Sequence, residues 1–211
     1  MKINNQESLI LEACVDSLDS AISAVHRGAH RLELCADLHL DGTTPSADLI
    51  RSVLNVVEVP VKVMIRPRGG DFVYSDTEFQ QMLDTIEDVK RLGVYGIVTG
   101  ILNEDNTLDM DRIALLAQTT VPLPMTVHKC IDLVPDIFQA IEDLEAIPGV
   151  LSILSSGQAA TAWEGRKTLK QMQIVCGHRF SLIVAGKVTP ANLMSLAEIT
   201  GAMEYHGRWL P

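Results

Sequence analysis

The sequence predicts a (β/α)8 TIM-type barrel, an α/β fold in which eight parallel strands alternate with helices around one closed core. Three observations point there. Short runs with strand character alternate with longer helical patterns from end to end, giving eight strands and seven intervening helices. Strict alternation implies parallel strands joined by right-handed crossovers. No Gly-x-Gly-x-x-Gly stands after the first strand, which disfavours the rival open doubly wound sheet.

The elements follow in order. Residues 9–15 read as the first strand and 17–28 as a helix closed by Gly28. Residues 31–35 are the second strand. Thr44-Pro45 opens the next helix, with threonine as cap and proline at the first helical position. Residues 61–66 form the third strand, and Ser75 with Glu78 has the capping-box spacing of a long helix ending at Gly93. Residues 95–99 are the fourth strand, and Asp109 caps the helix after it. Residues 123–128 are the fifth strand, 135–147 a helix, 150–155 the sixth strand and 159–176 a helix. Residues 180–185 are the seventh strand. Thr189-Pro190 repeats the cap-then-proline start, and 202–206 close the series.

A chain of 211 residues suits one domain, 1–211, at about 26 residues per unit, compact beside the roughly 250 typical of this barrel. Aromatics are only 4%, so aliphatic side chains must fill the core. The net charge of −10 argues against nucleic acid and anionic membrane surfaces as partners. No apolar stretch approaches the roughly 20 residues of a membrane span, and Met1–Ser8 lacks the pattern of a signal peptide. The cytoplasm is the expected compartment, with Cys14, Cys35, Cys130 and Cys176 as free thiols. A small homo-oligomer, assembled through the outer helices, is expected.

Side chains alternate along a strand. Leu11, Ala13 and Val15 share one face of the first strand, Glu12 and Cys14 the other. The second strand opposes Leu32 and Leu34 to Arg31, Glu33 and Cys35, and the third opposes Val61, Val63 and Ile65 to Lys62, Met64 and Arg66. The aliphatic sets should pack on the helices. The polar sets must then point inward, joined by Thr126, His128, Glu204 and His206. Burying so many charges is costly unless they are paired or solvated, so the interior is either an ion-pair network or an enclosure for water or a polar ligand. Glu12, Cys14, Cys35, Arg66, His128 and His206 lie near the strand ends where barrel active sites form.

The loop Arg66-Pro67-Arg68-Gly69-Gly70-Asp71-Phe72 sets two arginines beside two glycines. Guanidinium forks grip carboxylate or phosphate, so Arg66, Arg68, Asp71 and His206 are candidate ligand-binding residues; equally, Asp71 could satisfy an arginine within a tight turn. One functional reading is therefore a barrel enzyme acting on a small anionic metabolite, with Glu12, Glu33 and His128 as acid/base groups.

Glu12-Ala13-Cys14-Val15-Asp16-Ser17, Arg31-Leu32-Glu33-Leu34-Cys35, Gly42-Thr43-Thr44-Pro45-Ser46 and the long segment Val63 to Phe72 resemble the motifs of the CutC family. Weaker echoes occur at His128, Ser156-Gly157 and Glu204-Tyr205-His206-Gly207, so the likeness spans nearly the whole chain. Two motifs depart from the family pattern: His128-Lys129-Cys130-Ile131-Asp132, and Ala185-Gly186-Lys187 where a glycine run is usual. The resemblance implies a barrel tied to copper homeostasis, with Cys14 and Cys35 as copper-associated cysteines and copper as cargo. Thiolate and thioether ligands select Cu(I). Each of these cysteines follows a glutamate by two positions on strands expected to be neighbours, and Met64 is a candidate third soft ligand.

Overall fold

The alternation of apolar and polar residues gives each strand one face for the helices and one for the barrel axis. The computed structural model describes residues 9–208 and Leu210; Met1–Ser8, read above for a leader, lie outside the described residues. Eight strands close into one barrel in chain order: β1 (Ile10–Val15), β2 (Arg31–Leu34), β3 (Val61–Met64), β4 (Gly96–Thr99), β5 (Met125–Val127), β6 (Val150–Ser155), β7 (Ser181–Val184) and β8 (Glu204–Gly207). All pairs are parallel, and β8 closes on β1 with Glu12 opposite His206. Closure removes the edges that an open sheet would leave.

Seven helices follow the strands: α1 (Leu18–His26), α2 (Ala47–Leu54), α3 (Asp76–Arg91), α4 (Met110–Thr120), α5 (Ile137–Leu144), α6 (Ala162–Cys176) and α7 (Pro190–Thr200). Most starts obey the caps read from sequence. Ser75 and Glu78 form a reciprocal capping box, Asp109 accepts from Arg112 N, and Pro190 follows the cap Thr189. One start differs. The cap of α2 is Ser46, which accepts from Leu49 N, and Pro45 stands before it. Thr44 is drawn away because its hydroxyl bridges the backbone of Arg66, accepting from Arg66 N at 2.8 Å and donating to Arg66 O at 3.1 Å. Two 3-10 turns, Leu38–Leu40 and Lys129–Leu133, also stand after β2 and β5, where the sequence pattern gives no element.

The aliphatic faces build the main core between sheet and helices: Ala13, Val15, Leu32, Leu34, Val61 and Val63 pack with residues such as Ala21, Ile50 and Ile86. At roughly 25 cal/mol per Å2 of buried apolar area, this layer is the main source of stability. Inside the barrel the lining is divided. Glu12, Arg31, Glu33 and Lys62 are buried on the β1–β3 side, whereas Leu154, Ile183 and Ala185 form an aliphatic patch on the β6–β7 side. The charged interior read from sequence is therefore confined to one arc. Among the described residues, no helix is long and apolar enough to cross a membrane.

Candidate functional site

The inward residues of β1, β2, β3 and β8 form two levels. The lower level is an ion-pair network. Arg31 Nε donates to Glu12 Oε2, and Arg31 Nη2 donates to Glu204 Oε2 at 2.6 Å. Lys62 Nζ lies 3.5 Å from Glu12 Oε2 and donates to Thr126 Oγ1 at 2.9 Å. Glu12 Oε1 meets His206 Nδ1 at 2.9 Å. Burial would raise the Glu12 carboxyl, but Lys62, the His206 hydrogen bond and Arg31 outweigh it and hold the group well below the usual carboxylate range. Glu12 is thus a buried, fully engaged carboxylate and does not line the cavity above it.

The upper level is less complete. Cys14 Sγ and Cys35 Sγ are 3.9 Å apart, and Cys35 Sγ also lies 3.7 Å from Glu33 Oε2. His206 Nε2 lies 3.5 Å from the same Glu33 oxygen. Glu33 Oε1 is buried and has no partner among the described residues. The hydrogen bond from Cys35 is the largest influence on Cys14 and, with His206, brings its thiol down to about 5 against the opposing cost of burial. Cys35 is pushed up for the complementary reason: it donates to Cys14, and it is buried beside Glu33. Burial, more than the charges of Cys14 and Glu12, raises Glu33 to about 8 despite His206. Burial would lower His206, but Glu33, Cys14 and Glu12 raise it well above an ordinary imidazole. Near neutral pH this arrangement favours a Cys14 thiolate beside a His206 imidazolium and a protonated Glu33. Met64 packs with Cys35 and Val98, against the half-buried Cys14. Gly42 makes room for this: its φ is +87°, and a Cβ there would come within 3.2 Å of Cys35 Sγ.

These groups open into a cavity of about 650 Å3 at the C-terminal ends of the strands. Cys14, Glu33, Cys35, Met64, Arg66, His128 and His206 all line it. Arg66 does so with its charge already engaged: Nη1 donates to Leu40 O and Gly42 O, Nη2 donates to Gly70 O at 2.7 Å, and the guanidinium stacks on Phe72. Arg68 and Asp71 are not brought to the cavity. Arg68 Nε donates to Glu78 at 2.6 Å and its Nη2 to Asp71 at 3.0 Å, so this pair braces the start of α3 instead of gripping a ligand. The anion clamp expected of Arg66 and Arg68 is therefore not assembled, and Asp71 serves Arg68 instead of a ligand; the short loop turns the second arginine outward, while carbonyls of Leu40 and Gly42, after β2, and of Gly70 take up the terminal nitrogens of the first.

His128 is buried, packs against Phe72 with centroids 4.8 Å apart and the ring planes tilted by 55°, and accepts from Cys130 N through Nδ1. Burial, then Arg66, lowers it to about 3, so it is neutral, with its proton on Nε2. Gly100 permits this packing, since a Cβ there would stand 2.8 Å from His128 Nδ1 and against Cys130 Sγ. Cys130 and Cys176 are buried, and burial pushes both thiols up, so neither is a reactive group. His26 and His39 lie outside the cavity, and His30 Nδ1 accepts from Leu11 N.

The sequence reading missed the opposite wall. Asp132 accepts from Ser155 Oγ, Ser156 N, Ser156 Oγ and Gln158 N, tying the loop after β6 to the turn after β5. Lys129, Gln158, Lys187 and Arg208 line the cavity from this side. Their advance signals are the two departing motifs, 128–132 and 185–187, and the Gly157-Gln158 and Gly186-Lys187 pairs, whose left-handed backbone is not legible from residue type at Gln158 or Lys187.

Fold and site define a class: a closed parallel (β/α)8 barrel whose mouth carries two adjacent cysteine sulfurs, a buried carboxyl and two histidines. The CutC family model matches residues 9–209, and the chain belongs to the CutC family. It is 41% identical over 197 residues to the copper homeostasis protein cutC homolog of Mus musculus, covering 93% of this chain and 72% of the relative. A CutC family protein of Chromobacterium violaceum is 40% identical over 93% of this chain and 79% of its own length. The crystal structure of the copper homeostasis protein CutC from Streptococcus agalactiae superposes with a TM-score of 0.92 at 31% identity, covering 96% of this chain and all of that one. More distant barrels, such as a dihydrodipicolinate synthase from Bacillus anthracis at 12% identity and TM-score 0.66, share the fold alone.

Proposed function

We propose that this chain serves copper homeostasis by holding Cu(I) as cargo between the Cys14 and Cys35 sulfurs at the barrel mouth. The observation that carries this reading is the 3.9 Å separation of the two sulfurs. It lies within reach of one ion whose metal–sulfur bonds are about 2.3 Å. Strand register favours a shared ion over a disulfide. Cys14 pairs with Glu33, so Cys35 sits two residues further on, just past the end of β2. With strands about 4.8 Å apart and a rise of about 3.3 Å per residue, the two Cα atoms are roughly 8 Å apart, beyond the reach of a relaxed disulfide.

The donor chemistry fits. Two thiols select Cu(I), and Met64 adds a thioether packed on Cys35. The Glu33 carboxyl brings an oxygen within 4.8 Å of both sulfurs, and its Oε1 is buried without a partner among the described residues. Binding requires the Cys35 proton to leave, so loading releases protons. A reducing compartment such as the cytoplasm keeps both sulfurs available. The enzyme alternative loses its support at Arg68 and Asp71, which stand outside the cavity, and at Glu12, which is locked in ion pairs.

The test is an anaerobic titration of the reduced protein with Cu(I) against a competing chelator. One tightly held ion is expected, with affinity falling by at least about a hundredfold in Cys14→Ser and in Cys35→Ser, beyond the 10–100-fold typical of outer-sphere changes. Binding indifferent to both substitutions would overturn the site.

A further inference from the structure

We propose that the wall opposite the thiols is a binding site for a small oxyanion-bearing molecule, carboxylate or phosphate, held by Lys129, Lys187 and the Nε2–H of His128. The inference goes beyond the copper reading, because a single ion between Cys14 and Cys35 fills only one corner of a cavity of about 650 Å3. That volume is in the range of small-molecule sites, roughly 300–1,000 Å3.

Three observations define the wall. First, His128 lines the cavity with an unpartnered, buried Nε2. Its Nδ1 accepts from Cys130 N, so Nε2 carries the hydrogen and can only donate. A buried donor without an acceptor is costly, and a ligand oxygen would satisfy it. Second, Lys129 and Lys187 line the same cavity, and among the described residues no carboxylate lies within ion-pair distance of either. This stands out in a chain whose net charge is −10. Third, the wall is built in advance. Gln158 and Lys187 are non-glycine residues at φ +57° and +54° on adjacent loops, a backbone cost that clusters at ligand sites. Asp132 pins the first of these loops through four hydrogen bonds, and Gly186 O accepts from Ala162 N to hold the second against α6. Arg66 turns both terminal nitrogens to three backbone carbonyls and keeps only a buried Nε without a partner among the described residues, so it adds positive charge to the cavity without offering a free guanidinium fork.

The experiment titrates reduced, metal-free protein with inorganic phosphate and, separately, with citrate, followed by calorimetry and by amide chemical shifts. Saturable binding of at least one anion is expected, with shifts concentrated in the loops after β5, β6 and β7; whichever binds identifies the oxyanion type. Lys129→Gln and Lys187→Gln should each weaken it by about fivefold, the size of one close charge contact in a watery site. His128→Leu should abolish it, whereas His128→Gln, which can place an amide N–H near the Nε2 position, should restore most of it. The Cys14→Ser/Cys35→Ser variant should bind the anion unchanged, so loss of copper binding and loss of anion binding are separable. No saturable binding of either anion, binding indifferent to both lysine changes, or loss in the cysteine variant would overturn the proposal.

Discussion

The two charged levels of this barrel interior are made of similar residues and behave differently. In the lower one, Glu12, Arg31, Lys62 and Glu204 satisfy one another. In the upper one, Glu33 Oε1 has no partner among the described residues, nor has His128 Nε2 on the same cavity, and the side chains open into that volume. The difference teaches that inward charge is not itself a sign of function. A saturated network is the kind that holds a fold together; orphaned donors and acceptors beside open volume are the kind that await a ligand.

The same substitution at the two levels breaks the comparison most sharply. Glu12→Gln strips the carboxylate from between Arg31 and Lys62 and should cost about 3–5 kcal/mol, the penalty for uncompensated buried charge. Glu33→Gln replaces a carboxyl that burial already keeps protonated near neutral pH, and should change stability by less than about 1 kcal/mol. Denaturant unfolding of both variants measures this; equal losses would mean that the levels do not differ.

A smaller effect is expected at Gly100. A methyl there meets Cys130 Sγ and the His128 ring, so Gly100→Ala should destabilise by about 1–3 kcal/mol through overpacking, read as a lower denaturation midpoint at unchanged slope. Near neutral pH the response of His128 is smaller still, and it grows as the pH falls. Its folded value is lowered to about 3 from an ordinary imidazole's 6.5, so between those values the unfolded chain binds more protons. This contribution is fully present above pH 6.5 and is lost as pH falls toward 3. His128→Gln should flatten the stability profile across that window; an unchanged profile would place the acid sensitivity elsewhere.

Much of the lower level was legible in the sequence, because strand periodicity alone puts Glu12, Arg31, Lys62 and Glu204 on inward faces. The adjacency of Cys14 and Cys35 was legible for the same reason, since consecutive strands of a barrel are neighbours. What stayed hidden depends on loop paths. Nothing in residues 66–71 shows that Arg66 will fold back on the carbonyls of Leu40, Gly42 and Gly70 while Arg68 turns toward Glu78. Thr44 and Ser46 flank Pro45, and only the tertiary contact with the Arg66 backbone decides which of them caps α2. The wall around Asp132 joins residues from three loops, a meeting that no local pattern encodes.

The most direct measurement of the central claim is X-ray absorption at the copper edge of the anaerobically Cu(I)-loaded, reduced protein. The thiol site predicts a first shell dominated by two or three sulfur neighbours at about 2.3 Å, reduced to at most one or two in Cys14→Ser. A shell of nitrogen and oxygen only, or a sulfur shell that survives loss of both Cys14 and Cys35, would contradict it.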